Sequence, residues 1–488
     1  IEKVQNMKIQ TKFSMIAMAA MLMMQGCGAK QENYDRLLDP NKPITLEIWT
    51  YYNGTQKAAF DGLVTEFNET VGAEKGIVVE AYSQGNVNDL IQKVEESAEK
   101  KVGAGEIPDI FAAYADTAYK VDKLGLVASI DQYMTEEELA SYRDEYMSEG
   151  RIGEDGSLKI FPIAKSTELM MLNKTDWDRF AEAAGASLDE LNTLEGVTKV
   201  AREYYEWTDS LTPQPNDGKA FFGRDAMANY MIIGSRQLGK EIFAVEGDQV
   251  TLNLDREIFK KLWDNYYIPY IRGYFTAQGR FRSDDAKTGD LIALVGSSSG
   301  AAYFPKEVAV SDVESYPIES VLAAAPMFAD GEKIAVQQGA GMVVSRSDAA
   351  HEYASVVFLK WFTEEDRNIE FSLASGYLPV KKAANDFETI KKVMDSHEEL
   401  ASAEMIDVVE VAEKQLNEVE LYTTKAFEGG NDARSLLDTS MQDLAKADRE
   451  QVKAKLAQGL SLDEAAAEFE TEAYFDAWFT SLTQQMQE

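Results

Sequence analysis

Polar and apolar residues alternate over residues 44–49, and a turn-forming Tyr-Tyr-Asn-Gly segment follows at 51–54. Alternation with a period of two predicts a half-buried strand that ends in a loop. Apolar positions between residues 60 and 67 recur at helical spacing, and Gly76 precedes a second strand predicted over 77–81. A strand, a helix and a strand in this order predict a parallel βαβ unit.

The alternation of strands and helices continues to about residue 380. The further predicted strands lie at 108–112, 158–163, 291–295, 321–325 and 341–344. The further predicted helices lie at 90–102, 119–126, 176–207, 224–243, 255–272 and 351–362. From about residue 381 the chain is almost purely helical, and within it residues 445–469 are expected to be an insertion on the outer surface. The pattern predicts an α/β fold whose ligand crevice is formed by loops after the carboxyl ends of the strands.

The first 26 residues have the pattern of a secretory signal, and we take Met7 as the biological start. Two lysines precede an apolar run over residues 13–24, which is too short to span a membrane. Cys27 follows and is the single cysteine of the chain, a placement that resembles the cleavage site of bacterial lipoproteins. We therefore expect residues 1–26 to be removed and residues 27–42 to form a tether, anchored by lipid on Cys27 to the extracellular face of the cell membrane.

The composition disfavours several classes of chemistry. With 84 acidic and 48 basic residues, the 488-residue chain has a formal charge of −36. Nucleic-acid binding is disfavoured because it requires a basic surface. The two histidines, His351 and His397, and the one cysteine are too few for most zinc sites, and one cysteine cannot form an internal disulfide. We expect no metal and no cofactor.

One Gly-Ser-Ser-Ser-Gly segment, with Ser298 at its centre, satisfies the G-x-S-x-G pattern of hydrolase nucleophiles. Asp330 and then His351 or His397 follow in the chain order of an esterase triad. Against an esterase, Pro305 stands in the helix that should follow the nucleophile, and the chain has no His-Gly-Gly-Gly oxyanion segment. A serine-rich loop that offers hydroxyl and N–H groups to a ligand is the favoured interpretation. A paired-carboxylate glycosidase site also stays open.

Aromatic residues cluster where the predicted strands end. They are Trp49, Tyr51, Tyr52, Tyr114, Tyr303 and Tyr377. A flat aromatic ring can cover the apolar face of a sugar, while amide, hydroxyl and carboxylate groups bind the hydroxyls of the sugar. Ordinary core packing is the alternative for each ring, but their shared position favours a carbohydrate site.

Six segments in a fixed order resemble one known family. They are Ile-Pro-Asp-Ile-Phe and the residues after it (107–127), Phe-Pro-Ile-Ala-Lys-Ser-Thr and the residues after it (161–174), Gly-Asp-Leu-Ile-Ala-Leu-Val-Gly (289–296), Gly-Ala-Gly-Met-Val-Val (339–344), Phe-Leu-Lys-Trp-Phe (358–362) and Gly-Tyr-Leu-Pro-Val (376–380). Together they resemble the extracellular solute-binding proteins of bacterial ABC importers, in the carbohydrate-type group (family 1) with the maltose- and glycerol-3-phosphate-binding proteins.

The resemblance implies a two-lobed periplasmic-binding-protein-like α/β fold of type II, with a helical C-terminal region. The lobes of such a fold are joined by crossing segments, and the ligand is enclosed between them. The resemblance assigns residues 43–163 and 334–374 to lobe 1. It assigns residues 165–330 and 378–488 to lobe 2.

The resemblance also implies which residues bind the ligand. Asp116 matches a hydroxyl-accepting aspartate of sugar binders, and Ser166 and Thr167 match a hydroxyl pair of glycerol-phosphate binders. A maltose-like ligand is in doubt, because the resemblance to maltose binders implies a carboxylate instead of that hydroxyl pair. The predicted ligand-binding set is Trp49, Tyr51, Tyr52, Asn53, Gln84, Gly85, Asp116, Lys165, Ser166, Thr167, Ser297, Ser298, Ser299, Gly339 and Tyr377.

The predicted function is that of a monomeric, non-catalytic receptor that captures a sugar or oligosaccharide and delivers it to the permease of an ABC importer. A phosphorylated ligand is the alternative within this class, since Lys165, Ser166, Thr167 and the three serines at 297–299 could form an anion nest. A serine esterase and a purely adhesive lipoprotein are the alternatives outside it.

Overall fold

The structure is a computed structural model. It describes residues 33–152, 156–247, 249–396 and 403–487. The predicted signal sequence, Cys27 and His397 lie outside the described residues. The chain divides at Leu37 into a short unit, in which Tyr34–Leu37 form a 3-10 helix, and a large unit that holds the described sheets. In the described ranges, no helix combines the length and the hydrophobicity needed to cross a bilayer.

Fifteen strands are formed by the described residues. They are β1 (Ile44–Thr50), β2 (Ile77–Ser83), β3 (Ile110–Ala113), β4 (Ile160–Phe161), β5 (Glu168–Asn173), β6 (Phe222–Arg224), β7 (Phe243–Glu246), β8 (Gln249–Leu252), β9 (Ala293–Ser297), β10 (Glu307–Ser311), β11 (Glu314–Pro317), β12 (Ser320–Ala324), β13 (Ile334–Val336), β14 (Gly341–Val344) and β15 (Glu420–Tyr422).

Eighteen α-helices accompany these strands in the described residues. They are α1 (Gly54–Phe67), α2 (Ala73–Lys75), α3 (Val87–Ala98), α4 (Ala115–Lys123), α5 (Glu136–Ala140), α6 (Asp144–Gly150), α7 (Lys174–Ala184), α8 (Leu194–Asp209), α9 (Met227–Gln237), α10 (Arg256–Arg272), α11 (Arg282–Thr288), α12 (Ala349–Phe362), α13 (Glu365–Ser375), α14 (Phe387–Ser396), α15 (Ala403–Glu418), α16 (Gly430–Leu456), α17 (Leu462–Ala466) and α18 (Glu472–Gln487).

The first sheet has five strands in the order β2–β1–β3–β14–β4. Strand β1 is parallel to β2, with Ile44 opposite Ile77, and parallel to β3, which confirms the predicted βαβ unit. Strand β14 is antiparallel to β3 and β4, because the chain re-enters this sheet from the second one. We call this sheet and the helices packed against it, among them α1, α4 and α12, the first lobe.

The second sheet has four strands in the order β12–β5–β9–β6. Strand β5 is antiparallel to both neighbours, and β6 is parallel to β9. All six residues of β5 are buried, because sheet strands flank it on both sides and helices pack against it. We call this sheet and helices α7 to α11 and α16 to α18 the second lobe, whose core includes the stacked rings of Trp263 and Tyr267, 3.5 Å apart.

Several predicted elements differ from the observed ones. The helix predicted over 224–243 is shorter, because β6 precedes α9 and β7 follows it. The helix predicted over 176–207 is divided into α7 and α8 by the 3-10 helix Leu188–Asn192. In the C-terminal region, β15 interrupts the helices by pairing with β13. The types of the secondary-structure elements were therefore predicted better than their boundaries.

The expectation of an outer-surface insertion at residues 445–469 is wrong. Ala445, Val452, Ala465 and Phe469 of this stretch are buried and belong to the core of the second lobe. Helix α16 presents Ala445 and Val452 to α10, whereas Ala465 lies in α17 and Phe469 follows that helix. The charged residues of α16 between the buried ones face outward at helical spacing. The prediction relied on the high charge of this stretch and overlooked the apolar face by which its helices pack into the core.

Three segments, at residues 162–167, 325–340 and 376–382, connect the two lobes, and we call them the crossing segments. They lie side by side and are hydrogen-bonded to each other. The Leu378 N–H donates to the Lys165 carbonyl at 2.6 Å, and the Ser166 N–H donates to the Gln338 carbonyl at 2.8 Å. Because the lobes are joined only by short extended strips here, the crossing segments are the natural hinge.

Candidate ligand site between the two lobes

Three tyrosines form one wall of the space between the lobes. Tyr51 follows β1, Tyr114 follows β3, and Tyr377 lies in the third crossing segment. The hydroxyl oxygens of Tyr51 and Tyr377 are 3.1 Å apart. Burial raises the pKa of all three hydroxyls. They therefore stay protonated at neutral pH and can both donate and accept hydrogen bonds.

Asp116 lies in the first turn of α4, two residues after Tyr114, and is half-buried. Burial raises the pKa of Asp116 to about 6, against the opposing effects of the Phe427 backbone N–H and the Arg434 guanidinium. Gly430 of the second lobe packs directly against the carboxylate. The lobes therefore meet at Asp116, the carboxylate predicted to accept ligand hydroxyls.

The second-lobe wall is a network of polar side chains around Glu168. Its carboxylate accepts hydrogen bonds from Arg224 at 2.7 Å and from Asn229 at 2.8 Å. Asn229 also donates to the side chain of Gln338 at 3.0 Å and accepts a hydrogen bond from Arg434. An adjoining cavity of about 30 Å³ has room for one water molecule. The network fixes the orientation of amide and guanidinium groups that a polar ligand requires.

Backbone strain marks the start of α9 in this wall. Ala226, which is not a glycine, has a φ of 49°, in the left-handed region. Such conformations cost about 1–3 kcal/mol and cluster at functional sites. The strained turn brings Asp225 beside the end of β9, where it accepts the Arg282 N–H at 3.1 Å and where burial raises its pKa.

The Gly-Ser-Ser-Ser-Gly segment at residues 296–300, which we call the serine loop, lies at the end of β9, as predicted. The hydroxyls of its three serines differ in environment. The Ser297 and Ser299 hydroxyl oxygens are 2.9 Å apart, and Ser299 faces Tyr377 across the lobes. Ser298 is fully buried, and its hydroxyl has no hydrogen-bond partner in the described residues. Tyr303, at the end of the loop, is 57% exposed, and its hydroxyl approaches Gly54 of the first lobe. The loop therefore offers Ser297 and Ser299, and not Ser298, to a ligand.

The predicted anion nest is not present in the expected form. Lys165 is only 2% exposed, and its ammonium donates to Glu149 at 2.6 Å and to the Gly339 carbonyl at 2.8 Å. Thr167 donates to the Val336 carbonyl at 2.9 Å. These side chains hold the crossing segments together, because a buried charge or hydroxyl needs an internal partner. Ser166 lies beside them, buried, with its backbone paired to the second crossing segment.

The remaining predicted residues lie either in the core of the first lobe or at the edge of the space between the lobes. Trp49 is buried and donates its indole N–H to Glu47 on the same strand, and Tyr52 packs its ring against Phe60 at 5.3 Å. Core packing, the alternative considered for every aromatic, accounts for Tyr52. Asn53 is exposed next to Tyr51.

Gln84 and Gly85, two residues of the predicted ligand-binding set, follow β2. Asn53 donates its side-chain amide to the Gly85 carbonyl at 2.8 Å, so these two residues form one edge of the space. The side-chain oxygen of Gln84 accepts a hydrogen bond from Lys93 at 2.7 Å and is thereby held on the first lobe. Gly85 and Gly339 both have a φ near 100°, which favours glycine, and a Cβ at Gly339 would come 3.0 Å from the Ala164 carbonyl oxygen.

Sequence reasoning missed several polar residues that form the second-lobe wall or bind to the crossing segments beside it. They are Glu149, Glu168, Arg224, Asp225, Asn229, Gln338 and Arg434. Asp225 and Asn229 follow β6, a strand that the sequence analysis did not predict, so a correct assignment of β6 would have drawn attention to them. Nothing in the local pattern of α16 indicates that Arg434 reaches this wall.

The esterase arrangement is not assembled by the described residues. Ser298 lacks a hydrogen-bonded base, and His351 is on α12 of the first lobe, where its Nδ1 lies 2.8 Å from Asp348. His397 lies outside the described residues. The loop after β9 continues as a 3-10 helix, Ser298–Tyr303, and not as the α-helix that a nucleophile elbow requires.

Two α/β lobes, three adjacent crossing segments and polar groups that converge from both lobes define a hinged ligand-binding protein. The family model of the bacterial extracellular solute-binding proteins matches residues 62–400, more than half of the chain. The chain therefore belongs to this family, and the resemblance predicted from its motifs is confirmed.

The individual relatives have low sequence identity to this chain. The chain is 24% identical over 302 residues to the maltotriose-binding protein of Pyrococcus abyssi (strain GE5 / Orsay), a match that spans 60% of each protein. Among solved structures, the cyclic alpha-maltosyl-1,6-maltose binding protein of Arthrobacter globiformis is 19% identical with a TM-score of 0.63, covering 91% of this chain and 99% of that one. UgpB of Mycobacterium tuberculosis, solved with glycerophosphocholine, is 16% identical with a TM-score of 0.64, covering 91% and 98%. At these identities the structures show the fold, and they confirm the predicted two-lobed α/β class.

Proposed function

We propose that this protein captures a sugar or oligosaccharide between its two lobes outside the cell and presents it to the permease of an ABC importer. The observation that carries the proposal is the meeting of Asp116, with its neighbouring tyrosines, and the amide and guanidinium groups of Asn229 and Arg434. Membership of the solute-binding family and the sugar-binding relatives support it.

The chemistry of the space suits a neutral polyhydroxylated ligand. The charges within the Glu168–Arg224 pair and within the Lys165–Glu149 pair cancel each other. Hydroxyls, amides, the Asp116 carboxylate and the Arg434 guanidinium are left to exchange hydrogen bonds with sugar hydroxyls. Tyr51 and Tyr114 would provide the apolar surface that sugar rings need.

Binding would work by differential contact with the two states. A ligand that touches Asp116 on the first lobe and Asn229 on the second binds the closed state better than the open state, and so shifts the population toward closure. Hinge motions of this kind take microseconds to milliseconds. No covalent chemistry is required, and the proposed role is binding without catalysis.

A phosphodiester ligand is a second candidate, supported by one observation. Arg434 is exposed, and it forms no salt bridge with any described residue. An unpaired guanidinium is well suited to a phosphate group. The glycerophosphocholine complex of a structural neighbour is consistent with this alternative.

Calorimetry against maltose, maltotriose, other mono- and oligosaccharides and glycerophosphocholine tests the proposal. We expect one micromolar-range sugar ligand, about −8 kcal/mol. The substitution Asp116→Asn should weaken that ligand at least tenfold, whereas the exposed Asp330→Asn should not change its affinity. If only glycerophosphocholine binds, and Arg434→Gln abolishes it, the phosphodiester candidate replaces the sugar. No binding to any compound of the panel would contradict both.

The proposed location is the extracellular face of the cell membrane, with a lipid on Cys27. Family membership supports the location, and the signal-like pattern of the first 26 residues supports the anchor. In cells given radioactive palmitate, we expect labelled protein in the membrane fraction. Cys27→Ser should abolish the label and release the protein, whereas an unlabelled wild-type protein would contradict the anchor.

A further inference from the structure

A second cavity, of about 500 Å³, lies on the second lobe and shares none of its lining residues with the site between the lobes. One side is a face of α16 that presents Lys446, Arg449 and Lys453 at helical spacing. The opposite sides are the loop with Lys219, the segment after α10 and the turn after α11. We propose that this cavity, which we call the basic cavity, binds a phosphate-bearing anion.

The charge of the lining is opposite to that of the chain. Four cationic and two acidic side chains line the basic cavity, in a protein whose formal charge is −36. Of the two acids, Glu450 is paired with Lys453 at 2.7 Å, and Asp290 accepts the Thr288 hydroxyl at 2.5 Å. Lys219 and Lys446 form no salt bridge with any residue of the described ranges. Unpaired cations that converge on one concavity raise the local concentration of anions.

Arg449 provides the fixed part of the basic cavity. Its guanidinium donates to the Ile271 carbonyl at 3.1 Å and lies flat against Gly273, where any Cβ would overlap it. Burial lowers the pKa of Arg449, against the opposing effect of the neighbouring Tyr205. Within the described residues no carboxylate lies in salt-bridge range of the guanidinium. A planar guanidinium that is held in place and lacks an anionic partner is the usual receptor for phosphate oxygens.

The anion could come from either of two sources, a free phosphate compound or a phospholipid headgroup. Both present the same phosphate oxygens to Lys219, Lys446 and Arg449. The volume of the basic cavity accommodates a group larger than inorganic phosphate itself. This inference is independent of the sugar site.

Calorimetric titration of the full chain with inorganic phosphate, at low ionic strength, tests the inference. We expect saturable binding with a dissociation constant below about 1 mM. The double substitution Lys219→Gln/Lys446→Gln, which changes partly or fully exposed side chains, should weaken phosphate at least tenfold. The double substitution Lys391→Gln/Lys392→Gln, an equal loss of charge at exposed positions of α14, should not. Arg449→Gln should weaken it further if that variant folds.

Cosedimentation with vesicles of phosphatidylglycerol, compared with vesicles of phosphatidylcholine, distinguishes the two sources. Greater binding of the wild type than of the Lys219→Gln/Lys446→Gln variant to the phosphatidylglycerol vesicles identifies a headgroup, and equal binding identifies a free anion. If phosphate does not bind saturably, or if the double variant binds phosphate as the wild type does, the basic cavity is not an anion site.

Discussion

Asp116 of the first lobe and Gly430 of the second lobe are in direct contact. A Cβ built on Gly430 would lie 2.8 Å from Cγ of Asp116 and would overlap its Oδ1 oxygen. Gly430 is the first residue of α16, so its missing side chain lets the positive end of the helix approach the carboxylate. The closed arrangement of the lobes therefore depends on a glycine at this position.

The first prediction concerns closure. The substitution Gly430→Ala should hold the lobes apart, because its methyl group requires the space of the Asp116 carboxylate. We expect a larger radius of gyration by small-angle X-ray scattering and at least tenfold weaker binding of the sugar identified by calorimetry. Gly62→Ala, in α1, is the matched control, since a Cβ there meets nothing within 4 Å. Unchanged scattering and affinity for Gly430→Ala would show that the contact does not govern closure.

The second prediction concerns pH. The pKa of Asp116 is about 6 in the folded state, above its ordinary value of 3.8. Between these values the folded chain holds a proton that the unfolded chain has released, so stability falls as pH rises from 4 to 6. The effect is at most about 3 kcal/mol, at 1.36 kcal/mol per unit of pKa. Urea unfolding of the wild type and of Asp116→Asn across this range gives the free energy of unfolding as a function of pH. We expect this dependence to be weaker in the variant. Parallel profiles would contradict the raised pKa.

Sugar affinity should have the opposite dependence. Only the ionised carboxylate accepts two hydroxyl protons, so affinity should rise as pH increases through about 6. Calorimetry at pH 5 and pH 7 measures the difference, which we expect to be several-fold. In the Asp330→Asn control, the same difference should persist.

The strand and helix periodicities predicted the start of the first lobe well, because β1, β2 and β3 follow one another in the sequence. Strands β1 and β2 and the helix between them form from residues 44–83, and alternation alone was enough to identify them. The strands of the second sheet were harder to predict from the sequence. Strand β6 has only three residues before a buried helix, too few for any period to be seen, and no strand was predicted there.

The candidate site was predictable on one lobe and hardly on the other. Tyr51 was proposed because it follows a strand, and Asp116 because it matches an aspartate of the family that the chain resembles. Arg434 reaches Asn229 from a helix more than 200 residues further along the chain, and only tertiary packing brings them together. Lys165 was predicted to bind a ligand, and its buried pairing with Glu149 could not be read from the sequence.

The third prediction concerns the buried ion pair of the second-lobe wall. Glu168 and Arg224 have side chains that are 9% and 6% exposed and lie 2.7 Å apart. Glu168→Gln should destabilise the protein by about 3–5 kcal/mol, because it leaves the Arg224 charge buried without a partner. Chemical unfolding measures this. The exposed pair of Arg202 and Glu206 is the control, and Glu206→Gln should cost less than about 1 kcal/mol. Equal effects would mean that the buried pair is screened by water.

The last prediction separates the serine loop from hydrolase chemistry. A fluorophosphonate probe should not label Ser298, because its hydroxyl is fully buried and no base activates it. Ser298→Ala should leave the free energy of unfolding unchanged or raise it by about 1 kcal/mol, since it removes a buried hydroxyl without a partner.

Thr167→Val is the matched control for that substitution. It also removes a buried hydroxyl, but this one donates to the Val336 carbonyl and accepts from the Gln415 side chain at 3.1 Å. Its loss should cost about 1–3 kcal/mol, because both partners remain buried and unsatisfied. Urea unfolding of the two variants should therefore give opposite or clearly unequal shifts. Labelling of Ser298, or a larger loss of stability in Ser298→Ala than in Thr167→Val, would mean that the Ser298 hydroxyl has a partner or a role in solution that the closed lobes conceal.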